Sequence, residues 1–186
     1  LLFSLDFFFI GFLLDEKSIA FYKTAVIIPM NLMFLPLIFM QTDFPKLAQN
    51  YENKPYLIFY IKNYYKLFIP IGILILLSGY IVKDSLIPFI FGNDYSGNGG
   101  IFFILLCAVV GNMWMRNLYG NLLAAVGKAK WNTYISIGAI ICISVTSLLL
   151  IPDYGITGAA WGMAITFTFT GISGLFLFRN YLKTIS

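Results

Sequence analysis

Residues Trp131–Phe178 read WNTYISIGAIICISVTSLLLIPDYGITGAAWGMAITFTFTGISGLFLF and carry one charge, Asp153. A helix needs about 20 residues to cross ~30 Å of hydrocarbon at 1.5 Å per residue. The stretch therefore predicts two membrane spans, Trp131–Pro152 and Ile156–Phe178, joined by the short acidic turn Pro152-Asp153-Tyr154-Gly155. Both runs are apolar all round. Strands of a membrane barrel are shorter, about 10 residues, and alternate polar with apolar positions, so they do not fit.

Working outward, the same reading gives four more spans. They are Leu1–Leu14, Ile19–Thr42, Leu67–Phe91 (interrupted near its end by Lys83 and Asp84) and Ile101–Val126, which contains Arg116. The connections carry turn chemistry: Asp15-Glu16-Lys17-Ser18 with Ser18 as a helix cap, the Gly- and Asn-rich stretch 92–100, and the basic turn Gly127-Lys128-Ala129-Lys130. None is long enough to hold a domain, so residues 1–186 are expected to form one all-α membrane bundle of six helices.

Composition agrees. Of 186 residues 60% are apolar and 11% charged, against about 25% charged in ordinary soluble domains. That leaves too little polar surface for a soluble fold and too much hydrophobicity for a disordered chain. The two cysteines, Cys107 and Cys142, lie in apolar runs and read as buried small side chains rather than a disulfide framework. With no His, the commonest metal ligand and acid–base group is missing. The chain opens at Leu1 inside an apolar stretch with no charged leader, as expected of a fragment lacking an N-terminal bundle.

Lys and Arg set the expected orientation. Lys46, Lys54, Lys62, Lys66, Lys128, Lys130, Arg179 and Lys183 fall in one set of alternate loops, and Lys17, Lys23 and Lys83 in the other. The positive-inside rule puts the first set, and the C-terminus, in the cytoplasm. The basic charge is then matched by anionic membrane lipids and calls for no nucleic acid. Between Pro55 and Lys66, Tyr56, Tyr60 and Tyr64 recur every four residues, the pattern of an amphipathic interfacial segment over 55–66. It would act as an aromatic anchor or as a coupler between bundles.

Charges within the spans cost about 2.5–3.5 kcal/mol at the bilayer centre and mark function by default. Arg116 lies midway along its span, and at about 100° per residue Asn112, Met115, Arg116 and Tyr119 share a face. A guanidinium keeps its charge and forks onto phosphate oxygens, so this face suits an anionic ligand in a wet cavity. The alternative is a structural Arg paired with a carboxylate or with carbonyls. Asp6, between Leu5 and Phe7, could exchange a proton near neutral pH, help coordinate Na⁺, or pair silently with Arg116. Pro29 and Pro36, with Asn31 between them, distort one face of the second span, as broken transporter helices do at cavities. Lys23 either faces that cavity or snorkels. Gly158 and Gly162 form a small face for ordinary helix packing.

Five stretches in order carry a family resemblance: Asp6 and Gly11 followed by AFYKTA (residues 20–25), Phe44-Pro45-Lys46-Leu47, IFGNDY (90–95), GNLLAAVGKAK (120–130) and LLIPDYGITGAAWG (149–162). Together they resemble the C-terminal half of a polysaccharide-unit flippase. This is the O-antigen and teichoic-acid exporter type of the multidrug/oligosaccharidyl-lipid/polysaccharide transporter superfamily. The resemblance implies two facing bundles around a central cavity, alternating access, and transfer of an undecaprenyl-pyrophosphate-linked oligosaccharide to the outer leaflet of a bacterial cell membrane. Its partners would be that lipid-linked oligosaccharide, a monovalent cation (H⁺ or Na⁺) and the missing N-terminal bundle. Arg116, Asn112, Tyr119 and Lys23 would contact the substrate, and Asp6 would couple the ion. No catalytic motif, metal site or cofactor is expected, and the chain does not read as an enzyme. The alternatives are a multidrug-type cation antiporter, a non-transporting membrane subunit of a polysaccharide assembly complex, and a membrane-embedded glycosyltransferase, for which loop carboxylates are lacking.

Overall fold

The computed structural model describes residues 2–185, and among them the ordered elements are all helical. Leu1, the expected start of the first span, lies outside the described residues. The helices are α1 (Leu2–Leu13), α2 (Glu16–Leu32), α3 (Phe34–Gln49), α4 (Lys54–Phe91), α5 (Gly99–Asn112), α6 (Leu118–Ala125) and α7 (Ala129–Thr184). Four runs are long and apolar enough to cross a membrane: Glu16–Gln49, Lys54–Phe91, Gly99–Ala125 and Ala129–Thr184, of 34, 38, 27 and 56 residues. This is the architecture of a helical membrane protein.

Asp15 caps α2 by accepting the Ser18 backbone N–H at 2.7 Å, so the polar turn is there but the capping side chain is Asp15, not Ser18. α2 and α3 form one run broken at Met33, three residues before Pro36. Pro36 has no N–H for the Leu32 carbonyl and its ring crowds that carbonyl. The chain tightens instead, with the Met33 N–H reaching Met30 O at 3.2 Å. Pro29 sits inside α2 without breaking it.

α7 is two helices meeting at Gly155, whose φ of 57° and ψ of −140° are non-helical. The two arms fold back on each other. Gly158 lies against the Leu150 carbonyl, an ideal Cβ on Gly162 would stand 3.0 Å from Thr146 Oγ1, and one on Gly138 would stand 3.1 Å from Phe169. Contacts between residues ever further apart along the chain, centred near residue 154, define an antiparallel hairpin. The Gly158/Gly162 face thus packs against the preceding arm.

Residues 55–66 are not a separate element. They are the first turns of α4, continuous with the third span, and Leu57, Tyr60, Tyr64 and Phe68 are turned into the bundle. Tyr60 donates to Met40 Sδ at 3.3 Å. The loop before α4 is tied to the chain's end, with Tyr181 Oη donating to Tyr51 O at 2.7 Å and Lys54 Nζ to Ile185 O at 3.0 Å.

Two apolar clusters make the core. One gathers α1, α2, α5 and the second arm of α7 around Ile10, Tyr22, Leu105 and Met163. The other gathers α3, the start of α4, α6 and the two ends of α7 around Met40, Tyr64, Leu122 and Phe178. One expectation is corrected: Cys107 is exposed and Cys142 only half-buried, both as free thiols. A helix face turned to lipid is as apolar as one turned to the core, so apolar flanks did not distinguish them.

Candidate functional site

The site lies where the two clusters meet, on the run from α5 to α6. Between these helices, Met113–Asn117 form a π-helical turn. Such turns insert one residue into an α-helix and often occur at functional sites. The Leu118 N–H turns to Met115 O, and the Tyr64 hydroxyl donates to Met113 O at 2.8 Å. Trp114 Nε1 donates to Phe68 O at 2.8 Å, its indole packed where Gly72 of α4 has no side chain. On the other side, an ideal Cβ on Gly171 would stand 2.8 Å from Met115 Cβ. The wide turn is thus braced by α4 and by the second arm of α7.

Arg116 sits in this turn and is half-buried. Its Nη1 donates to Asn132 Oδ1 at 2.8 Å, and Asn132 Nδ2 donates to Gly120 O at 2.7 Å. Its hydrogen-bond partner is therefore a neutral amide, which orients the guanidinium without cancelling its charge. A Cβ at position 120 would collide with Arg116 Nη1, so glycine there lets the fork lie flat on the helix. Arg116 lines a recess of about 150 Å³ with Asn112, Ser136 and Thr170 as its other polar walls and Leu2 and Phe167 among the apolar ones. Asn112 Oδ1 is buried there with no hydrogen-bond partner.

Arg116 and Asn112 are therefore brought together, and Tyr119 is not. The inserted residue turns everything beyond Asn117 by about 100° relative to a regular helix. Tyr119 points into the second cluster, where its hydroxyl accepts from Tyr65 Oη at 3.1 Å. Asn132, Ser136 and Thr170 were missed in the sequence. The available signal was the four-residue spacing of Asn132 and Ser136 on an otherwise apolar helix.

Asp6 is fully buried and apart from Arg116. Its Oδ2 accepts from Tyr22 Oη at 2.9 Å, and its Oδ1 has no partner. A buried carboxylate with one open oxygen leaves a position for a proton or a small cation. Lys23 is exposed, its Nζ 5.4 Å from the centre of the Phe7 ring. Asn31 is exposed too and spends its amide on Ile27 O at 2.7 Å. The break at Met33 faces the π-turn across a cavity of about 200 Å³ lined by Phe3, Met30, Met33, Phe34, Leu37 and Asn117. Asn117 Nδ2 is buried there without a partner. Two irregular backbone segments thus flank one open, largely apolar recess, in which Met30 and Phe34 are exposed.

The chain is similar to a polysaccharide biosynthesis protein. It shares 28% identity over 150 residues with the capsular polysaccharide biosynthesis protein CapF of Staphylococcus aureus, which is 78% of this chain and 36% of that protein. The match thus spans little more than a third of the relative's length. No family model and no solved structure matches the chain.

Proposed function

We propose that the chain acts in polysaccharide biosynthesis as the second bundle of an exporter that moves undecaprenyl-pyrophosphate-linked sugar units from the cytoplasmic to the outer leaflet. Counted as crossings, α2–α3, α4, α5–α6 and the two arms of α7 make five, with α1, at 12 residues, as the end of a sixth. The arms, 129–154 and 156–184, are about 39 and 43 Å long at 1.5 Å per residue, enough for one crossing each. The basic loops and the C-terminus lie in the cytoplasm. The relative's part in capsular polysaccharide biosynthesis supports the substrate class.

One observation carries the reading: a half-buried guanidinium in an apolar helical run, held by an amide and bordering a recess to which Asn112, Ser136 and Thr170 add polar groups. A pyrophosphate entering a low-dielectric space without a counter-charge meets a very large barrier. Arg116 lowers it by presenting the remaining donors of its fork to phosphate oxygens, with Asn112 as the neighbouring polar wall. The polyprenyl tail stays in lipid while the headgroup passes through the cavity between this bundle and its N-terminal counterpart. Asp6 takes up H⁺ or Na⁺ at its open oxygen and links the cation gradient to alternating access.

The test is surface polysaccharide in cells carrying Arg116→Ala or Arg116→Lys in the full-length protein at matched expression. Arg116→Ala is expected to abolish export. Arg116→Lys should retain a fraction, because an ammonium supplies a point charge but no planar fork. Normal polysaccharide with both variants overturns the proposal.

A further inference from the structure

At the basic end of the bundle, the α6–α7 turn and the last turns of α7 enclose a recess of about 200 Å³. Its apolar walls are Leu123 and Leu177, and its polar ones include Lys128, Trp131, Asn180 and Tyr181. We propose that this recess binds the phosphate of an anionic glycerophospholipid whose acyl chain lies along the first arm of α7.

The donors are suited to a phosphate. The Tyr181 hydroxyl is committed to Tyr51 O at 2.7 Å, and that of Thr184, also in the wall, to Tyr181 O at 2.7 Å. That leaves the Lys128 ammonium, the Trp131 indole N–H and the Asn180 amide to face an incoming group. An ammonium with two neutral donors matches a phosphodiester, which has one negative charge and several acceptor oxygens. No carboxylate lies among the lining residues to compete.

The surroundings select a lipid over a free ion. Trp131 stands at the start of a run that is uncharged as far as Pro152, the level at which indole rings collect at membrane–water boundaries. From it an exposed apolar stripe runs along the same helix at steps of three and four: Trp131, Tyr134, Ile137, Ile141, Val145 and Leu148. A phosphate seated at Lys128 places its acyl chain at the foot of that stripe. Soluble anions would use the donors and ignore the stripe; a phospholipid uses both. The recess shares no lining residue with the one beside Arg116, and its proposed ligand does not depend on what the protein carries.

Native mass spectrometry of the full-length protein, purified in detergent and exposed to phosphatidylglycerol or phosphatidylcholine of identical chains, tests this. One phosphatidylglycerol should be retained in preference to phosphatidylcholine. Lys128→Gln should weaken that retention by about tenfold, as loss of one charge-assisted contact does. Lys62→Gln, an exposed lysine on another helix, should leave it unchanged. Equal retention of the two lipids, equal loss in the two variants, or displacement of the lipid by inorganic phosphate would each overturn the proposal. Lys128 is exposed, so its replacement leaves the fold intact, and Asn180→Leu gives a second, uncharged check with loss expected in the same direction.

Discussion

Asn132 positions Arg116 without offsetting its charge, whereas a carboxylate at the same place would make the pair neutral overall. The pair is a hydrogen bond of 2.8 Å between a cation and an amide oxygen, relayed onward to the Gly120 carbonyl. Replacing the amide by a carboxylate changes little in shape and removes the net charge. Asn132→Asp is therefore expected to abolish polysaccharide export while the purified protein unfolds at the same temperature or higher. Asn132→Ala instead strands the guanidinium and the Gly120 carbonyl and should destabilise by about 1–3 kcal/mol, read from thermal unfolding in detergent. Arg116 was legible in the sequence because a charge in an apolar run has few explanations. Asn132 was not: its position beside Trp131 at the start of a span resembles an interfacial cap, and its partner sits on the preceding helix. Asp6 was legible as a buried carboxylate, but its partner Tyr22 was not, since only the packing of α1 on α2 brings the two together.

The four long apolar runs followed from hydropathy because the hydrocarbon imposes both length and apolarity, and the break at Met33 followed from Pro36; the expected count of six spans is not reached by these runs. The π-turn had no sequence signature. It depends on tertiary braces, and Tyr64 supplies one by satisfying a buried backbone carbonyl. Tyr64→Phe removes this brace on the Met113 carbonyl, at a cost of about 1 kcal/mol. Amide hydrogen exchange at residues 113–118 should quicken, with exchange in α2 unchanged as the internal control. The hairpin within α7 turns at one glycine, Gly155. At φ 57° and ψ −140°, a side chain at position 155 is strained by about 1–3 kcal/mol. Gly155→Ala should lower the unfolding temperature, whereas Gly100→Ala, where an added Cβ meets nothing within 4 Å, should shift it little.

In the proposed orientation the segments holding Lys46, Lys54, Lys62, Lys66, Lys128, Lys130, Arg179 and Lys183 lie on one side of the membrane and the Gly155 turn on the other. In a variant lacking Cys107 and Cys142, a cysteine at Tyr154, which is exposed, should react with a membrane-impermeant maleimide in intact cells. One at Lys130 should react only after the cells are opened. The reverse pattern would invert the proposed orientation and with it the direction of export. The fold class was open to sequence reasoning because the solvent dictates it, whereas which faces meet lipid, core or cavity is decided by neighbours that the chain order does not reveal. The last turn of α7 is stitched to the loop ahead of α4 through Tyr181 and Lys54. If α4 tilts as the proposed alternating access requires, these two bonds pass the displacement to the tail, and a spin label at Lys183 would report it.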